Sequence, residues 1–447
     1  MAIRRSLVVA SGLVVGTVAA IAAAQGGGQA PQAPAQPDPV QIMVDRLDLE
    51  KYKATVKGLT QFGDRREGTQ RNRDAVAWIE AQLKSYGCVT ERMQYEPPAP
   101  RGGGAGQRGG GAAAGGAAGA AGGAGAAAAG AGRTGQAGQP AQAGRGGGGQ
   151  GRGSTLGPLA APVRSTGTSN GGATLYGVRG RTGVNNNPDA QPNETLRELN
   201  RGPVIPGPIP QVYCTKYGTT RAGEMYILGG HMDGIGWGEA ANDDASGSAI
   251  VMELARVFSS PDVTTDVTIR FALWNGEEGG LRGARAYVAQ REKLQGNKEE
   301  PKWLGMIQHD MMMWDHGMPR ADGTLSPDQR PEADFNIEFQ SNSKMSEASM
   351  KLAFAVKAAA DKYSKNYPGT VGPHMTATDS GPFQDIVAAV SMRENERGMH
   401  TGAGWNPHWH QPTDLFITFS DKDFTLGLNS AQATLAAIAG LTGAKVK

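Results

Sequence analysis

The chain has 447 residues, with 44 lysines and arginines against 42 aspartates and glutamates, for a formal net charge of +2. So even a balance gives no electrostatic reason to expect nucleic acid or an anionic membrane as partner. The two cysteines, Cys88 and Cys214, are too few and too far apart for a thiolate zinc site.

Arg4 and Arg5 precede an apolar run from Leu7 to Ala20, and Ala22 and Ala24 close it at an A-x-A spacing. That pattern reads as a secretory signal peptide over residues 1–24, and "RRSL" also permits twin-arginine export. The apolar run, about 15 residues, is short for a membrane span, so no membrane-spanning segment is expected once the signal is removed. The expected location is periplasmic or secreted. An oxidising compartment permits Cys88 and Cys214 to pair, although sequence alone cannot bring their Cβ atoms together. Residues 25–40, rich in proline, glycine and alanine, read as a linker.

A single domain is expected from residue 41 to 447. Its first clear helix is "RNRDAVAWIEAQLKSYG", with Val76, Ile79 and Leu83 on one face and Gly87 as the stop. A glycine- and alanine-rich insertion at about 100–155 interrupts the domain. It has no large apolar side chains to offset the entropy of ordering and is expected to be disordered. From Val204 onward strand and helix patterns alternate. "EMYILGG" is a strand, "ASGSAIVMELARVF" a helix, "DVTIRFALW" a strand and "GLRGARAYVAQRE" a helix. "WLGMIQ", "SEASMKLAFAVKAAADKY", "IVAAVSM" and "LNSAQATLAAIAGL" continue as strand, helix, strand and helix. The alternation predicts an α/β fold, a three-layer α-β-α sandwich around a mixed, mostly parallel central sheet.

Polar residues follow directly on these strands: His231 after "YILGG", Glu277 and Glu278 after "IRFALWNG", Asp310 after "GMIQH". In open α/β sheets ligands bind at the carboxyl ends of the strands. Several acids gathered there call for a cation. Imidazole with carboxylate and no thiolate suits zinc, with manganese, cobalt or iron as substitutes. With two histidines and three carboxylates, one carboxylate can bridge two ions about 3.5–4 Å apart, an arrangement used for hydrolysis.

The segments "GGHMDG", "ANDDASGSAIVMELARVF", "NGEEGGLRGARAYV", "QHDM" and "HWHQPTD", in that order, resemble the di-zinc aminopeptidases and glutamate carboxypeptidases. The resemblance covers nearly the whole processed chain apart from the insertion, starting at "GLTQFGDRREGTQ". It implies two Zn2+ ions, with Asp243 bridging them. His231 and Asp310 would complete one shell, and Glu278 and His410 the other. Glu277 would be the general base that activates a metal-bridging hydroxide. Asp233 would orient His231, and Asp414 offers the same role toward His410. A cis peptide between Asp243 and Asp244 is also implied. His309 and His408 are the rivals to Asp310 and His410. Neighbouring strand residues face opposite ways, so only one of His309 and Asp310 should reach the ions, and the match to "HQPTD" selects His410. His316, His374 and His400 have no motif support, and Met311 to Met313 read as core packing.

Two departures from the family pattern stand out. Gly234 occupies a position where the family often has serine. No tyrosine marks an oxyanion donor in "GPHMTATDSGPF", where Met375 and His374 fall instead. The resemblance implies a di-zinc exopeptidase acting on peptide substrates, an aminopeptidase first, and the N-terminal pattern adds export. A carboxypeptidase, a glutaminyl cyclase-like enzyme or a non-catalytic receptor-like relative on the same scaffold are the alternatives. A carboxypeptidase would need cations for a terminal carboxylate, for which Arg393 and Arg397 are available.

Overall fold

The first described helix, α1 (Pro39–Val44), begins where the aspartate of Asp38 accepts the Val40 N–H. It starts inside the stretch expected to be linker, because an N-capping aspartate followed by proline is itself a helix start. The computed structural model describes residues 38–97, 184–297, 299–316, 326–375, 377–394 and 406–447. The expected signal peptide, most of the linker, the 100–155 insertion, Arg397 and His400 lie outside those residues.

Helix α2 (Leu49–Thr60) is capped by Asp48 and α3 (Gln70–Ser85) by Thr69. Val76, Ile79 and Leu83 of α3 are buried, and Gly87 takes the left-handed conformation (φ +80°) that ends the helix. Strand β1 (Val89–Tyr95) follows, and the chain is described again from Val184 with the short α4 (Glu194–Asn200). Then come β2 (Ile209–Lys216), β3 (Arg221–His231), α5 (Ala245–Phe258), β4 (Val263–Thr264), β5 (Val267–Trp274) and α6 (Arg282–Arg291). The rest is β6 (Lys302–Asp310), β7 (Phe335–Phe339), α7 (Ser346–Tyr363), β8 (Gly369–Gly372), β9 (Ala389–Glu394), α8 (Asp421–Thr442) and β10 (Lys445–Val446).

Eight strands form one sheet in the order β1-β2-β5-β3-β6-β9-β7-β8. The core pairs β5/β3, β3/β6 and β6/β9 are parallel, as is β7/β8; β1/β2, β2/β5 and β9/β7 are antiparallel. The sheet is therefore mixed and mostly parallel, as the strand–helix alternation predicted. The antiparallel pairs all involve β1, β2 or β7, strands that lie outside that alternation.

Successive residues of the central strands bury opposite faces. Leu228, Phe271, Leu273 and Ile307 pack with α2, α3, α5, α7 and α8. Ile227, Ala272, Trp274 and Met306 pack instead with Tyr287 and Val288 of α6 and with Phe383. Helices thus cover both faces unequally, with most on one side. Cys88 and Cys214 form a disulfide, with Cα atoms 5.8 Å apart, that ties the start of β1 to β2. Among the described residues no helix is long and apolar enough to cross a membrane.

Candidate metal centre

The parallel core sets the site. His231 ends β3 in register with Trp274 at the end of β5, and Gly230 is in register with His309 of β6. The residues at or just past the ends of three neighbouring strands, His231, Glu277–Glu278 and Asp310, therefore emerge at one sheet edge. The chain from β3 loops back through Asp243 before α5 begins. Gly234 fits where no larger residue would: a Cβ there would lie 2.4 Å from the Ala240 Cβ and 2.8 Å from the Asp243 carbonyl oxygen. That crowding gives a physical reason for glycine at the position where serine was expected.

Two groups of side chains converge, each with one imidazole and two carboxylates. His231, Asp243 and Asp310 make one; Asp243, Glu278 and His410 make the other. Within each group the candidate ligand atoms all lie within 4.8 Å of one another, and Asp243 belongs to both. His231 Nε2 stands 3.3 Å from Asp243 Oδ1 and 3.7 Å from Asp310 Oδ1. His410 Nε2 stands 2.9 Å from both Asp243 Oδ2 and Glu278 Oε2. Asp243 therefore turns one oxygen to each histidine. The peptide between Asp243 and Asp244 is cis.

The rival histidines face elsewhere. His309 points to the helical side, with Nδ1 near the Gly229 carbonyl and Nε2 2.9 Å from the Thr434 hydroxyl of α8, and burial pushes its imidazolium down to about 4. His408 places Nδ1 2.8 Å from the Thr413 hydroxyl and packs edge-on to Trp314. His316 lies against Trp314 and bonds to Asp423.

The electrostatics explain why a cation suits this cluster. Burial drives the carboxyls of Asp244, Glu277, Glu278 and Asp379 upward and those of Asp233 and Asp414 up to about 7. Burial alone would also raise Asp243 and Asp310. The two histidines beside Asp243, and Arg393 and His231 beside Asp310, override it and hold both low. In the same way burial would lower the histidines, but Asp244 and Asp243 raise His231, and Glu278 and Asp243 raise His410 to about 10. The cluster thus borrows positive charge from its own imidazoles, which a divalent ion would replace. Glu278 Oε1 is buried without a partner among the described residues. Two imidazoles, three carboxylates and an orphaned carboxylate oxygen fit zinc.

The model of peptidase family M28 matches residues 212–426. Over that stretch, a little under half of the chain, the sequence is similar to peptidase family M28. The M28 match takes in all eight residues to which the motifs gave a role: His231, Asp233, Asp243, Glu277, Glu278, Asp310, His410 and Asp414. The chain is 37% identical over 77 residues to leupeptin-inactivating enzyme 1 of Streptomyces exfoliatus, covering 16% of this chain and 18% of that protein. It is 41% identical over 65 residues to aminopeptidase YwaD of Bacillus subtilis, 14% of each. Each match to these curated relatives therefore spans less than a third of the relative's length. The fold is similar to that of the aminopeptidase from Aneurinibacillus sp. strain AM-1, with a TM-score of 0.51 and 17% identity over 91% of this chain and 97% of that one.

Around the cluster, two predicted supports act on other partners than expected. His231 Nδ1 meets the main-chain carbonyl of Asp233 at 3.0 Å, while the Asp233 carboxylate is 3.8 Å away. That carboxylate instead accepts the N–H groups of Glu277 and Glu278, at 3.1 and 3.3 Å. Asp414 holds the Asn242 and Asp243 N–H groups and not His410. Both aspartates act on the backbone of the site, since a carboxylate beside several amide donors is satisfied locally. Arg393, one of the two arginines available for a substrate carboxylate, pairs with Asp310 at 3.1 Å inside the cluster. Met375 is buried with its sulfur accepting the Ser380 hydroxyl, and so brings no side-chain donor to the site.

Other contributors carried no signal of their own in the sequence. Asp244 accepts the N–H groups of His231, Gly247 and Met311, joining the ends of β3 and β6 to the start of α5. The N–H groups of Met312 and Met313 go to Ser246 and Asn242, and that of Trp314 to Glu394. The methionine run is buried as expected, yet its backbone is also clasped by "NDDAS". Arg65, fully buried, donates to the carbonyls of Met232, Leu59, Gly63, Glu239 and Ala240.

Proposed function

We propose that the chain is an exported zinc aminopeptidase, removing amino-terminal residues from peptides with two ions bound per chain. The observation that carries this reading is the pair of three-residue groups sharing Asp243. His231, Asp243 and Asp310 would hold one ion, and Asp243, Glu278 and His410 the other. When bound, the ions supply Lewis acidity toward a water and the scissile carbonyl.

The protein's own residues do the rest. Glu277 takes a proton from the attacking water on a carboxylate oxygen and passes it to the departing amine. The Asp233 carboxylate fixes the backbone of Glu277 and Glu278, and Arg393 fixes Asp310. Support comes also from the names of similar proteins, aminopeptidases among them.

Export with removal of residues 1–24 accords with the apolar N-terminal run and with the disulfide. The remainder from residue 41 is proposed as one metallopeptidase domain interrupted at about 100–155. The test is metal analysis of purified protein together with a panel of aminoacyl chromogenic substrates and N-blocked peptides. Zinc-dependent cleavage restricted to free amino termini is expected. Turnover of blocked peptides from the carboxyl end would overturn the assignment.

A further inference from the structure

His410 is held unlike His231. The imidazole of His231 is fixed by its Nδ1 contact with the Asp233 carbonyl, whereas His410 Nδ1 is buried and has no partner among the described residues. A metal-binding imidazole is ordinarily oriented through its second nitrogen, so the placing of His410 has to come from packing and backbone. The Trp409 ring stacks on the imidazole, with centroids 3.9 Å apart. The residue itself sits at φ +56°, an uncommon conformation for a non-glycine that surrounding contacts must maintain.

Those contacts come from the segment 185–200 and from the loop it holds. The Asn185 N–H donates to the His410 carbonyl at 3.0 Å. Gln191, fully buried, donates its side-chain Nε2 both to the Trp237 carbonyl at 2.7 Å and to the Pro412 carbonyl at 3.0 Å. Its own side-chain oxygen accepts the Asn193 N–H at 3.0 Å. The Asn200 amide donates to the Gly238 carbonyl at 2.8 Å. The loop at 236–238 in turn presses on His410. Gly236, at φ +101°, lies so close that a Cβ would stand 2.3 Å from the His410 carbonyl carbon. Two loops therefore meet at His410, and Gln191 spends both of its N–H groups joining them. All of Asn185, Gln191 and Asn200 fall outside the stretch that matches the family.

We propose that the segment from Asn185 to Asn200 positions His410 for metal binding in place of a hydrogen bond to its imidazole, with Gln191 as the central positioning residue. The inference rests on the two-ion reading above. Without the Gln191 donors the two carbonyls lose their shared partner, the loops can slide, and His410 can relax from its left-handed conformation. The ion held by Glu278 and His410 should then be weakened, and the ion held by His231 and Asp310 spared.

The test is zinc titration against a competing chelator, with melting of the metal-free protein followed in parallel. Gln191→Met keeps the length and removes the donors. Gln191→Glu keeps the shape but offers no N–H when ionised. Each is expected to weaken one of two zinc ions about 10–100-fold and leave the other at wild-type affinity, with activity lost at limiting zinc returning at saturating zinc. Gln191→Asn, too short to span both carbonyls, should show a smaller loss of the same kind and serves if the first two do not fold. Variants that keep both ions at wild-type affinity refute the inference, even if their melting temperature falls. A wild-type chain that takes up fewer than two ions removes the two-ion reading and this inference with it.

Discussion

Replacing Asp233 by asparagine separates the role of its carboxylate from that of its main-chain carbonyl. The carboxylate accepts one N–H from Glu277 and one from Glu278. An asparagine can keep one of these bonds through its oxygen, but its NH2 group then faces the other N–H. One hydrogen bond to a charged acceptor is lost, a cost of about 1.5–3 kcal/mol. If that loss falls on the placement of Glu277, kcat/KM drops about 10- to 150-fold. The contact to His231 Nδ1 comes from the main-chain carbonyl of Asp233 and survives the substitution. The assay is therefore double: steady-state kinetics on an aminoacyl substrate, and zinc content after dialysis. The expected result is a full complement of zinc with a depressed kcat/KM. A variant that loses zinc while the residual loaded fraction turns over normally would refute this reasoning, because the carboxylate would then be acting on His231.

Three further outcomes follow from the same geometry. Glu277→Gln should keep its zinc while kcat falls by about two to four orders of magnitude; near-normal turnover would remove Glu277 as the base. The stability of the metal-free protein should fall as pH rises from about 5 to 8. Asp233 and Asp414, raised to about 7, and His410, raised to about 10, bind protons more tightly folded than unfolded. Their contribution is complete at low pH and is lost as pH rises through those values. With zinc in excess the slope should reverse, since coordination requires deprotonated ligands; thermal melts across pH with and without chelator measure both slopes, and a metal-free slope of the opposite sign counts against the assignment. Arg65→Met removes the shared donor of five carbonyls. At about 1–3 kcal/mol for each group left unsatisfied, it should yield little folded protein, and a well-folded variant would show that water replaces the guanidinium.

Some of the residues that line the candidate site were legible because they stand at the end of a strongly apolar strand, where an unpaired histidine or acid has little structural reason to be. His231, Glu277 and Asp310 are of this kind. The direction of a side chain was harder to read. Strand alternation required His309 and Asp310 to diverge without saying which one faces His231, and only the packing of His309 against Thr434 shows it. The supports were less legible still. Asp233 and Asp414 were read as partners of imidazoles, yet backbone amides take their carboxylates, and backbone positions carry no sequence signature. Gln191 and Arg65 satisfy carbonyls from loops far away in the chain, and no local spacing announces such contacts. The short β7 and β8 extend the sheet past the alternating region, so their pairing could come only from the fold.

The central claim is that Asp243 sits between two ions. A crystal structure of the zinc-loaded protein, with anomalous scattering collected at the zinc edge, tests it most directly. Two peaks are predicted, one on each side of the Asp243 carboxylate and about 3.5–4 Å apart, the first against His231 and Asp310 and the second against Glu278 and His410. A single peak, or two that do not share Asp243, would contradict the account.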